Sequence, residues 1–396
     1  MDTTLDTAAP APPPPAAAAF DPELVARVRL AATAGVAPRL AARLLARFGS
    51  AHATLAAGVP AWTGVPGVGA ARAALLAAAP TPDEALHDLA RAAAAGADAL
   101  WPGDPRWPAS LAELPDPPLV LYVRGTLPPL GPSAVAIVGS RRASAYGTTQ
   151  ARRLAAELVE RGFVVVSGLA RGIDAAAHRG ALEAGGLTVG VLGGGLARFY
   201  PPEHVPLARE IVGGRGAVLS EFPLDVPPLP HHFPRRNRVL AALAAAVVVV
   251  EAGERSGSLV TADHALDLGR EVLAVPGRVD HPNACGVHRL LREGAALCEG
   301  AADVLAALGA DAPSPSEERN ARDGAGAAAA PGATPDETAV LAALAGEERS
   351  ADDVVDATGL EAGAALAALA ALELAGRVTL RDDGLYALAV GRGGRP

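Results

Sequence analysis

Three arginines, Arg235, Arg236 and Arg238, crowd into the segment His231-His232-Phe233-Pro234-Arg235-Arg236-Asn237-Arg238. Guanidinium groups this close repel one another and lose side-chain entropy when ordered, so an ordered cluster calls for an anionic partner. Phe233, just ahead of them, offers a ring on which an unpaired base can stack, a contact worth about 1–3 kcal/mol per base. The chemistry suggested is the gripping of a polyanion. The alternative is that Phe233 belongs to the core and the arginines pair with Glu221, Glu251 or Glu254. Composition alone does not choose between the two.

More arginines and small residues follow apolar runs elsewhere. The segments are Gly139-Ser140-Arg141-Arg142, Ser167-Gly168-Leu169-Ala170-Arg171-Gly172, Gly193-Gly194-Gly195, Ser220-Glu221-Phe222-Pro223, residues 252–258 with Ser256, Gly257 and Ser258, and Pro276-Gly277. One glycine after a strand usually means only a tight turn. Several such loops on one sheet edge form a rim of backbone N–H groups, hydroxyls and guanidinium groups suited to phosphate oxygens. No nucleotide fingerprint is intact. Gly139-Ser140-Arg141 lacks the second glycine of G-x-G-x-x-G, and a chain without lysine cannot contain a G-x-x-x-x-G-K-[ST] loop, so no nucleotide cofactor is expected. No G-x-S-x-G elbow accompanies the serines, and Cys285 has no evident base. Asp280, His281, Cys285, His288 and Cys298 match no familiar zinc spacing, and no metal is expected.

These loops need a sheet to bring them together. Six runs read as strands: Val135 to Val138, Phe163 to Ser167, Leu187 to Leu192, Ala217 to Ser220, Ala246 to Glu251 and Glu271 to Val275. Their near-continuous Val, Leu and Ile content predicts strands covered on both faces. Helices predicted at roughly 147–161, 173–185, 203–213, 236–245 and 258–269 supply the crossovers of a Rossmann-like, doubly wound parallel α/β sheet over residues 106–305. In such a sheet ligands bind beyond the carboxyl ends of the strands, where all these loops lie.

Other domains flank this one. Residues 1–19 are rich in Ala and Pro and read as disordered, and 306–335 read as a flexible linker. Residues 20–105 form a helical domain in which Gly64-Val65-Pro66-Gly67-Val68-Gly69 suggests a helix-hairpin-helix turn. Such a turn either holds a DNA phosphate on its amides or simply connects two helices. Residues 336–396 read as a winged helix, three short helices and then a hairpin turning at Asp382-Asp383-Gly384. Its third helix, about 361–375, carries Glu361 and Glu373 and no arginine, so a protein contact suits it better than a DNA groove.

The formal net charge of −9 argues at first sight against a nucleic-acid partner. The charge is unevenly spread, however. Residues 131–300 hold 18 arginines against 16 acids, whereas residues 301–396 hold 7 against 16. The acidity lies in the tail, and local field rather than net charge attracts phosphate. The longest apolar run, Val239 to Val250, is far short of the roughly 20 residues of a membrane helix, so no membrane partner is expected. Two cysteines and no signal-like N-terminus point to a cytoplasmic protein.

The same motifs carry a family resemblance. Val135-Ala136-Ile137-Val138-Gly139-Ser140-Arg141, Tyr146-Gly147, Ser167 to Asp174, Gly193-Gly194-Gly195, Tyr200-Pro201, Ser220-Glu221, Phe233 to Arg238, Val250-Glu251-Ala252, Arg255 to Leu259 and Gly269 to Pro276-Gly277 occur in the order and spacing of the DprA (Smf) family. That resemblance implies an extended Rossmann-like domain that binds single-stranded DNA, dimerises through that domain and loads RecA recombinase in natural transformation. By motif position Arg141 and Arg171 would hold phosphates, with Ser140, Gly168 and the cluster around Asn237 completing the pocket. Related folds include phosphoribohydrolases, an enzymatic alternative, which resemble one another in P-G-G-x-G-T-x-x-E. The corresponding stretch here, Glu254 to Thr261, has neither the double glycine nor the glutamate. A non-enzymatic binder is therefore expected.

Overall fold

The computed structural model describes residues 20–309, 334–344, 349–374, 377–380 and 385–388. The Ala/Pro-rich segment, most of the linker and the Asp382-Asp383-Gly384 turn lie outside the described residues. The chain divides into two units, Met1–Asp311 and Ala312–Pro396.

The first unit opens with six helices: α1 Pro22–Ala32, α2 Pro38–Phe48, α3 Ala51–Ala56, α4 Val59–Trp62, α5 Ala70–Ala77 and α6 Pro82–Ala94. Asp21, Ser50 and Thr81 cap α1, α3 and α6 through their side chains, and Glu84 completes a capping box with Thr81. The Gly64–Gly69 turn joins α4 to α5. It is anchored by buried Val65 and Val68, and its carbonyls accept from Arg43 and Arg72.

A nine-stranded sheet follows, in the order β1-β2-β6-β5-β4-β3-β7-β8-β9. The strands are β1 Ala97–Leu100, β2 Leu121–Gly125, β3 Gly131–Val138, β4 Val164–Ser167, β5 Thr188–Val191, β6 Gly216–Ser220, β7 Ala244–Val249, β8 Glu271–Ala274 and β9 Ala296–Leu297. All six strands read from the sequence are present, and from β6 to β9 the pairing is parallel. The sheet is nevertheless mixed. β1 and β2 extend it by antiparallel pairing onto β6, so it begins within the segment assigned to the helical domain. Short strands such as Ala-Asp-Ala-Leu carry too little β signal to stand out beside a helix. One hydrophobic cluster also runs from the N-terminal helices to Leu169, Leu192 and Ile211, so the expected boundary near residue 105 does not separate two cores.

Crossover helices cover both faces: α7 Ala145–Glu160, α8 Ile173–Glu183, α9 Val205–Val212, α10 His232–Ala242, α11 Gly257–Asp267, α12 Cys285–Arg292 and α13 Ala301–Ala307. One apolar cluster, with Ala136, Val166 and Val247, lies on one side of the sheet; another, with Ile137, Leu154 and Val248, lies on the other. From β3 the chain winds outward through β4, β5 and β6, then returns to place β7 on the opposite side of β3. The strand order therefore reverses between β3 and β7, which opens a crevice at their carboxyl ends.

The second unit contains α14 Pro335–Ala343, α15 Ala351–Thr358, α16 Ala362–Leu374 and a hairpin of β10 Val378–Leu380 with β11 Tyr386–Leu388, the winged-helix arrangement read from the sequence. Val340, Leu344, Val354, Leu369, Leu372 and Val378 form its core. Among the described residues no single helix is long and apolar enough to cross a membrane.

One buried polar network lies inside the sheet. The Thr188 hydroxyl donates to the Val165 carbonyl at 2.8 Å and must therefore accept from His178 Nδ1 at 2.7 Å. His178 is thus the neutral Nδ1–H tautomer, and burial pushes its pKa from 6.5 down to about 3. Acid then favours the unfolded chain, which takes up the proton first. Stability present above pH 6.5 falls by roughly 1.4 kcal/mol per pH unit below it, until the folded imidazole also protonates. Urea denaturation at pH 7 and pH 5 is expected to show wild type losing roughly 2 kcal/mol more than His178→Gln. Equal losses in both would remove His178 as the source.

Candidate nucleic-acid interface

The crevice at the reversal point is a cleft of about 1120 Å³. Its floor is the turn between β3 and α7. Ser140 N–H donates to the Glu251 carbonyl at 2.7 Å, and Ile173 N–H donates to the Ser140 carbonyl at 3.2 Å, which joins three loops. Gly172, at φ 76°, permits this join, because a Cβ there would lie 2.2 Å from the Ser140 carbonyl oxygen. The next residue in the floor turn, Arg141, projects outward. Its guanidinium lies 4.6 Å from the centre of the Phe233 ring, and it forms no ion pair among the described residues.

Phe233 is half-buried and takes cations on its surface. Arg236 lies 6.0 Å from its centre, and Tyr200 meets it edge-on at 6.1 Å. Tyr200 in turn carries the Arg171 guanidinium 5.6 Å from its ring and accepts a hydrogen bond from it at 3.4 Å. Arg141, Arg171, Tyr200 and Phe233 thus line one small recess together with Gly168 and Ala170, which adjoins the main cleft. Arg171 also pairs with Glu203, an exposed contact that raises the arginine pKa and holds the Glu203 carboxyl below its ordinary range.

The loop bearing Arg171 is held from beneath. Arg236 and Asp174 are both buried, and a Cβ on Gly168 would lie 2.6 Å from an atom of each. Arg236 Nη1 donates to the Gly168 carbonyl at 2.9 Å, and Asp174 accepts from Gly168 N–H at 3.2 Å. Burial pushes Asp174 up and Arg236 down to about 10, each opposed by the attraction of the other, so Arg236 stays protonated at neutral pH. Leu169 between them sits in the left-handed region at φ 54°.

The opposite wall is the start of α11. Ser256 caps the helix, and its hydroxyl lies 2.7 Å from that of Ser258. Asn237 donates to the Gly257 carbonyl at 3.1 Å and so ties α10 to this wall. Arg142, Arg255, His281 and Asn283 complete the cleft.

The structure redistributes the arginine cluster. Helix α10 begins at His232 rather than near 236, so the cluster lies on a helix whose successive side chains diverge by 100°. Arg236 turns inward, while Arg235 and Arg238 reach the buried Glu221 at 3.1 Å and 2.6 Å. Arg238 is itself buried and also faces Asp116 at 3.7 Å. For these two, pairing with Glu221 is what is found, and neither lines the cleft. Ser167 is buried too, its hydroxyl donating to the Ile137 carbonyl at 2.6 Å. Gly139, Ser140, Arg141, Phe233, Arg236, Asn237, Ser256, Gly257 and Ser258 do line the cleft. Tyr200, Arg142, Arg255 and Asn283 join them without having been singled out as site residues. Tyr200-Pro201 stood in the motif set, but an aromatic's exposure is a tertiary property. Among the described residues no group of His, Cys, Asp and Glu is placed to hold a metal ion.

Fold and cleft define an extended Rossmann-like protein with a cationic and aromatic cleft at the reversal point of its sheet. Residues 98–309 match the sequence profile of DNA recombination-mediator protein A, and residues 325–384 that of the DprA winged helix domain. A putative DNA processing protein DprA of Mycobacterium tuberculosis is 40% identical over 330 residues, covering 78% of this chain and 82% of that protein. Protein Smf of Escherichia coli is 46% identical over 199 residues, which span 50% of this chain but only 53% of that relative. The X-ray structure of DNA processing protein A from Streptococcus pneumoniae superposes with a TM-score of 0.55 at 31% identity, covering 71% of this chain and 97% of that one. The chain belongs to the DprA (Smf) family of DNA-processing proteins, which act in recombination.

The buried arginine and the surface one should respond differently to truncation. Arg236→Ala removes the larger of the two cationic attractions on buried Asp174, leaving that of Arg141, together with the donor to the Gly168 and Val191 carbonyls, and is expected to cost about 3–5 kcal/mol. Arg235→Ala leaves Glu221 still paired with Arg238 and should cost about 1 kcal/mol or less. Chemical denaturation measures both, and equal losses would contradict the distinction.

Proposed function

We propose that the cleft binds single-stranded DNA, with backbone phosphates on Arg141 and Arg171 and a base against Phe233. The observation that carries the reading is Arg141: an exposed guanidinium with no ion pair among the described residues, set over a half-buried ring, in one recess with a second arginine and a second aromatic. Cations alternating with rings suit a strand whose phosphates can turn inward while its bases splay outward. A duplex hides its bases and offers the rings nothing. Stacking on rings and charge on phosphates serve every base alike, so sequence preference is weak.

The cleft acts as a binder rather than a catalyst in this reading. Asp174 and Glu251, the carboxylates beneath it, are buried and already engaged with amides and hydroxyls. Family membership supports the further steps: the protein works in the cytoplasm as a homodimer and loads RecA recombinase onto the bound strand. The winged-helix unit serves protein contact, since Glu361 just before its third helix and Glu373 in that helix's last turn are both exposed.

Fluorescence anisotropy of a labelled dT oligomer tests the reading. Arg141→Ala and Arg171→Ala are each expected to weaken binding about tenfold or more, as a charged hydrogen bond worth about 1.5–3 kcal/mol implies. The log-log salt slope should also become shallower by about 0.7 for each phosphate that the variant no longer neutralises. Affinity unchanged in both variants would reject the cleft as the site.

A further inference from the structure

We infer that Glu251 is an internal anion that fills the phosphate position at the N-terminus of α7, and so restricts the cleft to polynucleotide phosphates presented to Arg141. The inference deepens the single-strand reading above and rests on it for the role of Arg141. In doubly wound sheets the turn after the first parallel strand delivers a helix N-terminus to the reversal point, and that terminus ordinarily takes a ligand phosphate. Here the strand is β3, the helix is α7, and the terminus is already filled.

Four observations place the carboxylate there. Glu251 is 5% exposed and forms no ion pair among the described residues. One oxygen accepts from the Ser144 hydroxyl; the other accepts from Ser144 N–H at 2.9 Å and from Asn283 Nδ2 at 3.2 Å. Ser144 is the N-cap of α7, and its hydroxyl oxygen also accepts from Gly147 N–H at 3.0 Å. A Cβ on Gly147 would lie 2.4 Å from the Glu251 carboxyl carbon, so the acid packs directly against the first turn. That turn contains no acidic residue of its own. A carboxylate buried without a cation needs hydrogen-bond donors and a positive helix end, and here the N-cap amide and hydroxyl, the Asn283 amide and the adjacent end of α7 supply them.

Two consequences follow. A free nucleotide or pyrophosphate meets both steric exclusion and like charge at the position where such ligands usually bind. The loop Ser140–Ser144, pinned at Ser144 by the carboxylate and at Ser140 by the Glu251 carbonyl, holds Arg141 out over Phe233. Asn283 reinforces the hold by donating to the Arg142 carbonyl at 2.7 Å. Glu251 is therefore both a specificity-determining residue and a positioning residue, and it never touches DNA.

Titration calorimetry of the full chain with inorganic pyrophosphate separates these roles from general stability. Glu251→Ser, which removes both charge and bulk, is expected to bind pyrophosphate at least tenfold more tightly than wild type, and Glu251→Gln, which removes the charge alone, by a smaller but severalfold margin. Glu251→Asp keeps the charge and should exclude it as wild type does. Pyrophosphate affinities within twofold of wild type in the neutral variants would overturn the inference. Gly147→Ala tests the same contact with Glu251 intact. It should weaken dT-oligomer binding severalfold while circular dichroism stays unchanged, and full dT affinity in that variant would overturn the positioning role. The pyrophosphate arm involves no DNA, so its failure alongside dT binding that depends on Arg141 sinks only this inference. Binding indifferent to Arg141→Ala sinks the functional reading instead.

Discussion

The burial of Arg236 beside Asp174 is the constraint on which the cleft depends. Neither charge is tolerable alone in a site without water, and neither is satisfied by the other alone. Most of the remaining partners are the amides and carbonyls of Gly168, Ala170 and Val191, with Asn237 Oδ1 accepting from Arg236 Nε, so the two charges are satisfied only when the loop after β4 folds back over them. That fold requires a residue without a side chain at 168 and a left-handed backbone at Leu169. From there the chain has one course, outward through Arg171 and back at Gly172 to meet the turn after β3. The same guanidinium also backs the Phe233 ring from below, so one buried pair positions both the cationic and the aromatic side of the recess.

Helical geometry decides which arginines remain available to a ligand. On α10, positions 235 and 238 share a face and converge on Glu221, whereas 236 points into the sheet. A cluster that looks like a basic patch along the chain thus becomes framework in space. The cations left over come from loops, Arg141, Arg142 and Arg255, where no regular neighbour supplies a carboxylate. This division agrees with the usual partition of labour between rigid elements that carry packing and loops that carry function.

Most of the parallel sheet was legible, because buried parallel strands announce themselves as unbroken Val, Leu and Ile runs, as at Val135–Val138 and Ala246–Val250. The rim was legible for the same reason, since the loops after those strands must share an edge. β1 and β2 were not read, because four or five residues that join an antiparallel edge leave no long apolar run. The start of α10 was misplaced because Phe-Pro-Arg-Arg reads as a loop, although proline is well tolerated in a first helical turn. Whether an arginine faces solvent or Glu221 depends on that start, and a shift of a few residues changes the answer for each of the three. Family resemblance named Arg141, Arg171 and the cluster around Asn237, but it carried no information on this sorting.

The surviving cations differ in how readily they can exchange partners, which bears on how the cleft meets a strand. In the proposed mode a phosphate at Arg141 competes with its ring contact and with its longer-range attraction to Asp174, and the ring remains beside it. In the same mode Arg171 must release Glu203, but that pair lies in solvent, where water and salt screen it, so a phosphate can displace the carboxylate. Arg236 would have to abandon a buried carboxylate and two carbonyls, which no solvent-exposed phosphate can repay. The recess therefore presents one ready cation, one that trades an internal acid for an external one, and one that never leaves. The proposed binding is compatible with a net negative chain, because it would draw on two local guanidinium groups and their rings, and the acidic residues that dominate the total charge lie beyond residue 300.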